Sequence, residues 1–355
     1  MACTNITAIL NRTLTPTGIN KLAENANIPQ EQDSSLNLGE KFKLVTIILI
    51  MAVAVIANGI VITAILLSKK LRSKHKFLLS ECCANFLFAL LIMPLSPIQG
   101  LLGWWPFGHI YCNINFSVSI ALVFTSILNI LALTIERYIS ICHPFKRHFI
   151  LKSSHVVVIL LYVWIQPLVL SLIIFIWRDI SYQYRPKQCM PESPQKYQTY
   201  EKPYFTFLIT SNFFIPVLLI AVMYVCIIRI AWRQNQHIRS QHKQLNHSLN
   251  KKMNITIKTT DLRATFVSVI ILGIFCVCWM PFFIITLTVA YDIRYNPGQF
   301  LFISIILAYV NFAINPIIYT MLTSDIKSAV KSLFPCQESY AFRNRSRSLS
   351  KTTNV

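Results

Sequence analysis

Seven long apolar runs separated by polar stretches dominate the chain. A helix needs about 20 apolar residues to cross the hydrocarbon core. Runs of that length predict spans over 44–67, 77–101, 111–142, 155–177, 204–231, 262–290 and 298–322. Residues 1–42 are polar and the first run starts only at Leu44, so that run is expected to be an uncleaved anchor rather than a signal peptide. Beyond the last run, Ser324 and Asp325 predict a helix cap. Ile326, Val330 and Phe334 then recur at i, i+4 and i+8 with Lys327 and Lys331 between them, which predicts a short amphipathic helix in the membrane interface. The expected fold class is an all-α membrane protein, a seven-transmembrane helix bundle plus that helix.

Composition narrows the function classes. The 355 residues are 54% hydrophobic and 13% charged, with a mean hydropathy of +0.53, too apolar for a soluble protein to cover its own surface. Eight glycines argue against phosphate-cradling loops and β-rich folds. The eight histidines sit in loops or at span edges without metal-ligand spacing, so no cofactor or metal and no enzymatic activity are expected. Internal symmetry of the kind a transporter shows is absent from the pattern. Of the ten cysteines most lie inside apolar runs, among them Cys82, Cys83, Cys226, Cys276 and Cys278, where the thiol serves as a small hydrophobe.

The net charge of +20 sits between the apolar runs, which points away from nucleic acid and towards anionic headgroups and a cytoplasmic partner. Lys69, Lys70, Arg72, Lys74 and Lys76 follow the first span, and the loop near 102–110 has no Lys or Arg. Basic residues recur after the fifth span and in the tail. The positive-inside rule then puts the N-terminus outside and the C-terminus in the cytoplasm. The expected division is 1–43 as an extracellular segment, 44–322 as the bundle, and 323–355 as amphipathic helix and cytoplasmic tail. Sequons at Asn5 and Asn11 agree with that orientation, although further sequons, among them Asn246 and Asn254, fall on the cytoplasmic side. Cys336 is the expected palmitoylation site.

Several motifs sit in the right spans and the right order. They are Asn58-Gly59 in the first span, Cys112 and Glu136-Arg137-Tyr138 at the two ends of the third, and Trp164 in the fourth. The fifth has Pro216 and Tyr224, the sixth Phe275 through Trp279 to Pro281, and the seventh Asn315-Pro316-Ile317-Ile318-Tyr319. Over residues 44–336 the chain resembles the rhodopsin-like (class A) G-protein-coupled receptors, closest to the amine-receptor group. The resemblance implies a plasma-membrane receptor that signals through a heterotrimeric G protein, with receptor kinases and arrestin acting on its tail. It implies a Cys112–Cys189 bridge across the bundle mouth, expected in an oxidising exterior. Ile127, Pro216 and Phe275 fall where the family keeps the connector between pocket and cytoplasmic face. An Arg in a span is costly, so Arg137 should pair with Glu136 and with Asp261 at the foot of the sixth span, a latch whose opening frees it for the G protein.

Matching the spans also assigns a pocket, with Ser119, Val123, Asn212, Trp279, Phe282, Phe283 and Tyr309 at its centre. The aspartate that amine receptors keep in the third span is replaced by Ser119, and the lysine that opsins keep in the seventh by Tyr309. An unknown, non-amine extracellular ligand is therefore expected. The alternatives are an amine bound through a displaced anchor, drawn from Asp179, Glu192, Glu201 or Asp292, or ligand-independent activity. A membrane transporter is the remote alternative. Thr353-Asn354-Val355 matches a PDZ ligand. Where most of the family holds a sodium-binding aspartate, this chain has Asn85, with Ser126, Asn311 and Asn315 keeping the place polar. Glu81, one helical turn away on the same face, is either hydrogen-bonded in place or a displaced cation or proton site.

Overall fold

The computed structural model describes residues 37–102, 105–177, 182–183, 188–189, 198–249, 260–291 and 298–334. The side chains of 109, 174–177, 182–183, 188, 198–201, 231, 234–235, 237–249, 260–272 and 322 are left out of the description. The chain divides into two units, Met1–Lys43 and Leu44–Val355. Asn5, Asn11 and Cys336 lie outside the described residues, as does the side chain of Asp261.

Among the described residues, seven helices are long and apolar enough to cross a membrane. They belong to α1 (Leu38–Leu67), α3 with α4 (Lys76–Leu91, Leu95–Leu102), α5 (Gly108–Cys142), α7 (Ser153–Trp177), α8 with α9 (Gln198–Ile209, Ile215–Leu249), α10 (Thr260–Tyr291) and α11 (Gln299–Leu322). Two short helices, α2 (Lys69–Lys74) and α6 (Arg147–Ile150), lie in connections, and α12 (Ser324–Ser332) follows the last span. Tyr182–Gln183 and Gln188–Cys189 pair as a two-residue antiparallel ladder, a small β element beside the all-α expectation.

Local chemistry sets the helix ends and irregularities. The Glu40 N–H donates to Asn37 Oδ1 at 2.8 Å and the Asn37 N–H to Glu40 Oε2 at 3.3 Å, a capping box that starts α1 six residues before the apolar run. Pro94 interrupts the second span, and the Met93 N–H bonds back to the Phe88 carbonyl at 3.2 Å. Pro216 cannot give the N–H its preceding turn needs, and that turn, Thr210–Phe214, is π-helical. Pro316 likewise leaves the Phe312 carbonyl without its intrahelical donor. Asn58 of α1 supplies one at 3.0 Å while also donating to its own Ala54 carbonyl at 2.8 Å.

The tail helix departs from the expected cap. The N-cap residue is Thr323, without a side-chain cap bond, so Ser324 and Asp325 are the first helical residues. Ile326 is fully buried in a cluster with Val61, Ile65, Leu71, Leu78, Cys82 and Tyr319, with Val330 packed against it. Asp325 pairs with Lys74 at 2.5 Å, tying the tail helix to the connection after the first span. The Lys74 hydrogen bond and charge hold the Asp325 carboxyl below the usual carboxylate range, and burial pushes the His75 imidazole below its usual value.

Candidate functional site

One continuous buried cluster joins the upper and lower halves of the bundle. The Phe88 and Phe312 rings stack at 4.2 Å. Trp279 meets Phe312 edge-on at 5.6 Å and stacks on Phe283 at 5.5 Å. Phe283 meets Phe213 at 4.3 Å, and Phe213 meets Phe275 at 6.0 Å. Aromatic contacts of this kind are worth about 0.5–1.5 kcal/mol each beyond the area they bury. Ile127 and Phe275 are fully buried in the same cluster, and Pro216 is also buried. Phe213 and Phe312, the links between the expected residues, carry no motif signal and were missed by the sequence reading.

Above Trp279 lies a cavity of about 160 Å³. Ser119, Val123, Trp279, Phe282, Phe283 and Tyr309 line it, as do Gln99 and Asn115. Trp105, which no sequence feature marked, joins them, as does Cys189 of the expected bridge. Cys189 is bonded to Cys112 with Cα atoms 5.7 Å apart, so the bridge brings the short ladder to the cavity wall. Asn212 lies elsewhere. The π-turn directs its amide back to the Leu208 carbonyl at 3.0 Å and to Ser211 Oγ at 2.9 Å.

Among the described residues that line the cavity there is no carboxylate, lysine or arginine. The Ser119 hydroxyl donates to the Phe116 carbonyl of its own helix at 2.8 Å. Ser96 Oγ and Tyr309 OH sit 2.9 Å apart and join the second span to the seventh. Gln99 Nε2, Asn115 Oδ1 and Trp279 Nε1 are buried polar atoms without a hydrogen-bond partner among the described residues. The side chains of Asp179, Glu192, Glu201 and Asp292 lie outside the description.

Below Trp279 the polar residues converge on one atom. Glu81 is fully buried, and its Oε1 accepts from Asn85 Nδ2 at 3.0 Å, Ser126 Oγ at 3.0 Å and Asn315 Nδ2 at 3.2 Å. Ser126 Oγ also reaches Asn85 Oδ1 at 2.9 Å, and Asn315 Nδ2 reaches Asn311 Oδ1 at 3.2 Å. Glu81 Oε2 and Asn311 Nδ2 stay without a partner among the described residues. A buried polar oxygen left unmatched is costly, so Glu81 Oε2 is a point of weakness in the bundle interior.

At the far end of α5, Glu136 Oε1 lies 3.9 Å from Arg147 Nη2 in the following connection, a pair the sequence reading did not anticipate. Arg137 and Tyr138 are half-buried, and the Tyr138 ring meets His143 edge-on at 5.6 Å. Thr134 Oγ1 approaches Tyr224 OH at 3.4 Å, and Tyr319 is buried against the cluster that holds the tail helix. Trp164 Nε1 donates to Ser80 Oγ at 2.9 Å, pinning the fourth span to the second.

The sequence model of the family described as 7 transmembrane receptor (rhodopsin family) matches residues 57–319. The chain is 29% identical to the histamine H2 receptor of Rattus norvegicus over 309 residues, 83% of this chain and 78% of that receptor. It is 28% identical to the human histamine H2 receptor over 317 residues, 87% of this chain and 85% of that one. It is also 28% identical to the alpha-1A adrenergic receptor of Bos taurus over 313 residues, 80% of this chain but 65% of that receptor's length.

Proposed function

Because the chain belongs to the rhodopsin family of seven-transmembrane receptors, we propose that it carries an extracellular ligand signal to heterotrimeric G proteins, and that the ligand is uncharged. The N-terminus faces outward and the Arg137 end faces the cytoplasm, in keeping with the basic loops. The similar receptors are named for histamine and adrenergic ligands. A buried ammonium needs a counter-ion, and the observation that carries this reading is a cavity with no carboxylate among its described lining residues, in which the Ser119 hydroxyl already serves its own helix. Gln99 Nε2 and Trp279 Nε1 offer donors there and Asn115 Oδ1 an acceptor. A small aromatic or aliphatic molecule bearing both an acceptor and a donor matches them.

A change at Trp279 is passed through Phe283, Phe213 and Phe275 towards the end that holds Arg137, Tyr138, Tyr224 and Tyr319. The kinks at Pro216, Pro281 and Pro316 supply the hinges. Asp261 latches Arg137 in the resting state. Ser346, Ser348 and Ser350 are the targets of receptor kinases and so of arrestin, and the terminal Thr353-Asn354-Val355 takes a PDZ domain. Asn5 and Asn11 carry glycans and Cys336 a palmitoyl chain.

A second reading, signalling without a ligand, is favoured by the cavity's size, about 160 Å³ against the roughly 300–1,000 Å³ of ordinary ligand sites. The test is nucleotide exchange on a panel of Gα subunits by receptor purified in detergent. The ligand-free baseline is recorded, and neutral and amine ligands are then added. A neutral activator supports the first reading, and a high baseline without one supports the second. A nanomolar response to a biogenic amine overturns the uncharged ligand, and silence on every Gα subunit overturns coupling itself.

A further inference from the structure

At the end of the bundle that bears Arg137, a cavity of about 600 Å³ opens between the feet of the second, third and fourth spans. Lys74, Lys76, Arg147 and Lys152 line it, and Glu136 is the one carboxylate among the described lining residues. Two of these cations are engaged: Lys74 by Asp325, and Arg147 at 3.9 Å from Glu136. The other two are not neutralised. Among the described residues Lys76 Nζ reaches only the Ser153 hydroxyl, at 3.4 Å, and the Lys152 ammonium has no hydrogen bond or ion pair, its backbone carbonyl alone accepting from the Val156 N–H. Lys76 opens α3 and Lys152 immediately precedes α7, which carries no acidic residue in its first turn. The floor is apolar, because Phe77 and Val156 line the cavity and are buried against Ala132.

The outer surface of α7 begins where the cavity ends. Val156 lines the cavity, and its chain neighbour Val157 starts an exposed apolar row that continues one turn apart through Leu161 and Ile165. A basic pocket with an apolar floor, set beside a lipid-facing row, matches an amphiphile. We propose that this cavity binds a membrane phospholipid whose headgroup carries phosphomonoesters, with the phosphates on Lys76 and Lys152 and the acyl chains along Val157, Leu161 and Ile165. A phosphomonoester brings close to two negative charges and three acceptor oxygens, which two converging ammonium groups engage more fully than a single phosphodiester does. The proposal rests on the membrane orientation given above and not on the identity of the ligand or the G protein.

The experiment places the full chain in nanodiscs of phosphatidylcholine alone, with phosphatidylserine, or with a phosphatidylinositol bisphosphate at equal total charge. Bound lipid is read by native mass spectrometry and stability by thermal unfolding. The bisphosphate should be retained and should raise the unfolding temperature above that in matched phosphatidylserine discs. K76Q/K152Q should weaken its retention by roughly 30-fold, from two cations lost at an anionic surface, and K76R/K152R should restore most of it. K327Q/K331Q, which removes the same charge from the tail helix, should change retention by less than roughly threefold, because those cations lie outside the cavity. Folding of each variant is checked in phosphatidylcholine discs. Equal retention of phosphatidylserine, or an equal loss in K327Q/K331Q, would reduce the effect to diffuse attraction and overturn the site. A free inositol phosphate that binds as tightly as the lipid would overturn the lipid as its occupant. None of these readings involves nucleotide exchange, so their failure leaves the receptor function standing.

Discussion

Replacing Glu81 probes the buried polar cluster below Trp279, and two substitutions separate its acceptor role from its charge. In Glu81→Ala, three donors lose the shared Oε1 acceptor. Ser126 keeps Asn85 Oδ1 and Asn315 keeps Asn311 Oδ1, so only the Asn85 amide loses its sole acceptor among the described residues. One orphaned buried donor costs about 1–3 kcal/mol, and the space vacated by the side chain adds about 1 kcal/mol. Relief of the unmatched Oε2 offsets part of that, for a net loss of about 1–3 kcal/mol. Thermal unfolding of purified receptor should register it as a fall of roughly 3–10 °C. Glu81→Gln keeps an oxygen where Oε1 sits and should remain within about 1 kcal/mol of wild type. A Gln variant as unstable as the Ala variant would refute this reasoning, because charge rather than the acceptor would then hold the cluster. The same pair tests the displaced cation or proton site. That site requires basal nucleotide exchange in wild type to depend on sodium or pH, and Glu81→Gln to remove the dependence. Wild type without such dependence, or a Gln variant that behaves like wild type, makes Glu81 structural.

Asp261→Ala should raise basal signalling at matched surface expression, and Arg137→Ala should abolish coupling while leaving surface delivery largely intact; unchanged basal activity in the first would end the latch. Ser119→Asp should introduce the missing counter-ion and give measurable binding of a simple amine in a radioligand assay, and failure to bind any amine would show that the cavity's shape rather than its charge excludes them. The Asp325–Lys74 pair is largely exposed, so Asp325→Asn should cost at most about 1 kcal/mol. Because the folded-state carboxyl titrates below its ordinary range, that contribution is present above the range and disappears as pH falls through the lowered value. The unfolding temperatures of the two proteins should therefore differ at neutral pH and converge in acid, and a gap that widened in acid would contradict the assignment.

What could be read without coordinates follows from the solvent. A hydrocarbon core demands long apolar helices with every backbone group satisfied, so the spans appear as apolar runs, and most of their ends agree with the structure to within a few residues. The exceptions have local causes that hydropathy does not register. The Asn37–Glu40 capping box extends α1 into charged residues, and α9 continues to Leu249 because a helix outside the membrane needs no apolar run. The cavity residues and the bridging cysteines followed from family motifs, with Asn212 placed elsewhere by a π-turn that only the backbone at Pro216 explains.

The tertiary structure alone decided how distant polar groups meet. Asn58 replaces a donor that Pro316 lacks across 254 residues of chain. Glu81 gathers donors from 4, 45 and 234 residues away onto one oxygen. Glu136 turns to Arg147, and Lys74 reaches Asp325. Periodicity and motif report the environment of each residue along its own helix, one position at a time. The partner of a buried polar atom is set instead by the rotation and depth of neighbouring helices, which depend on how all seven pack together.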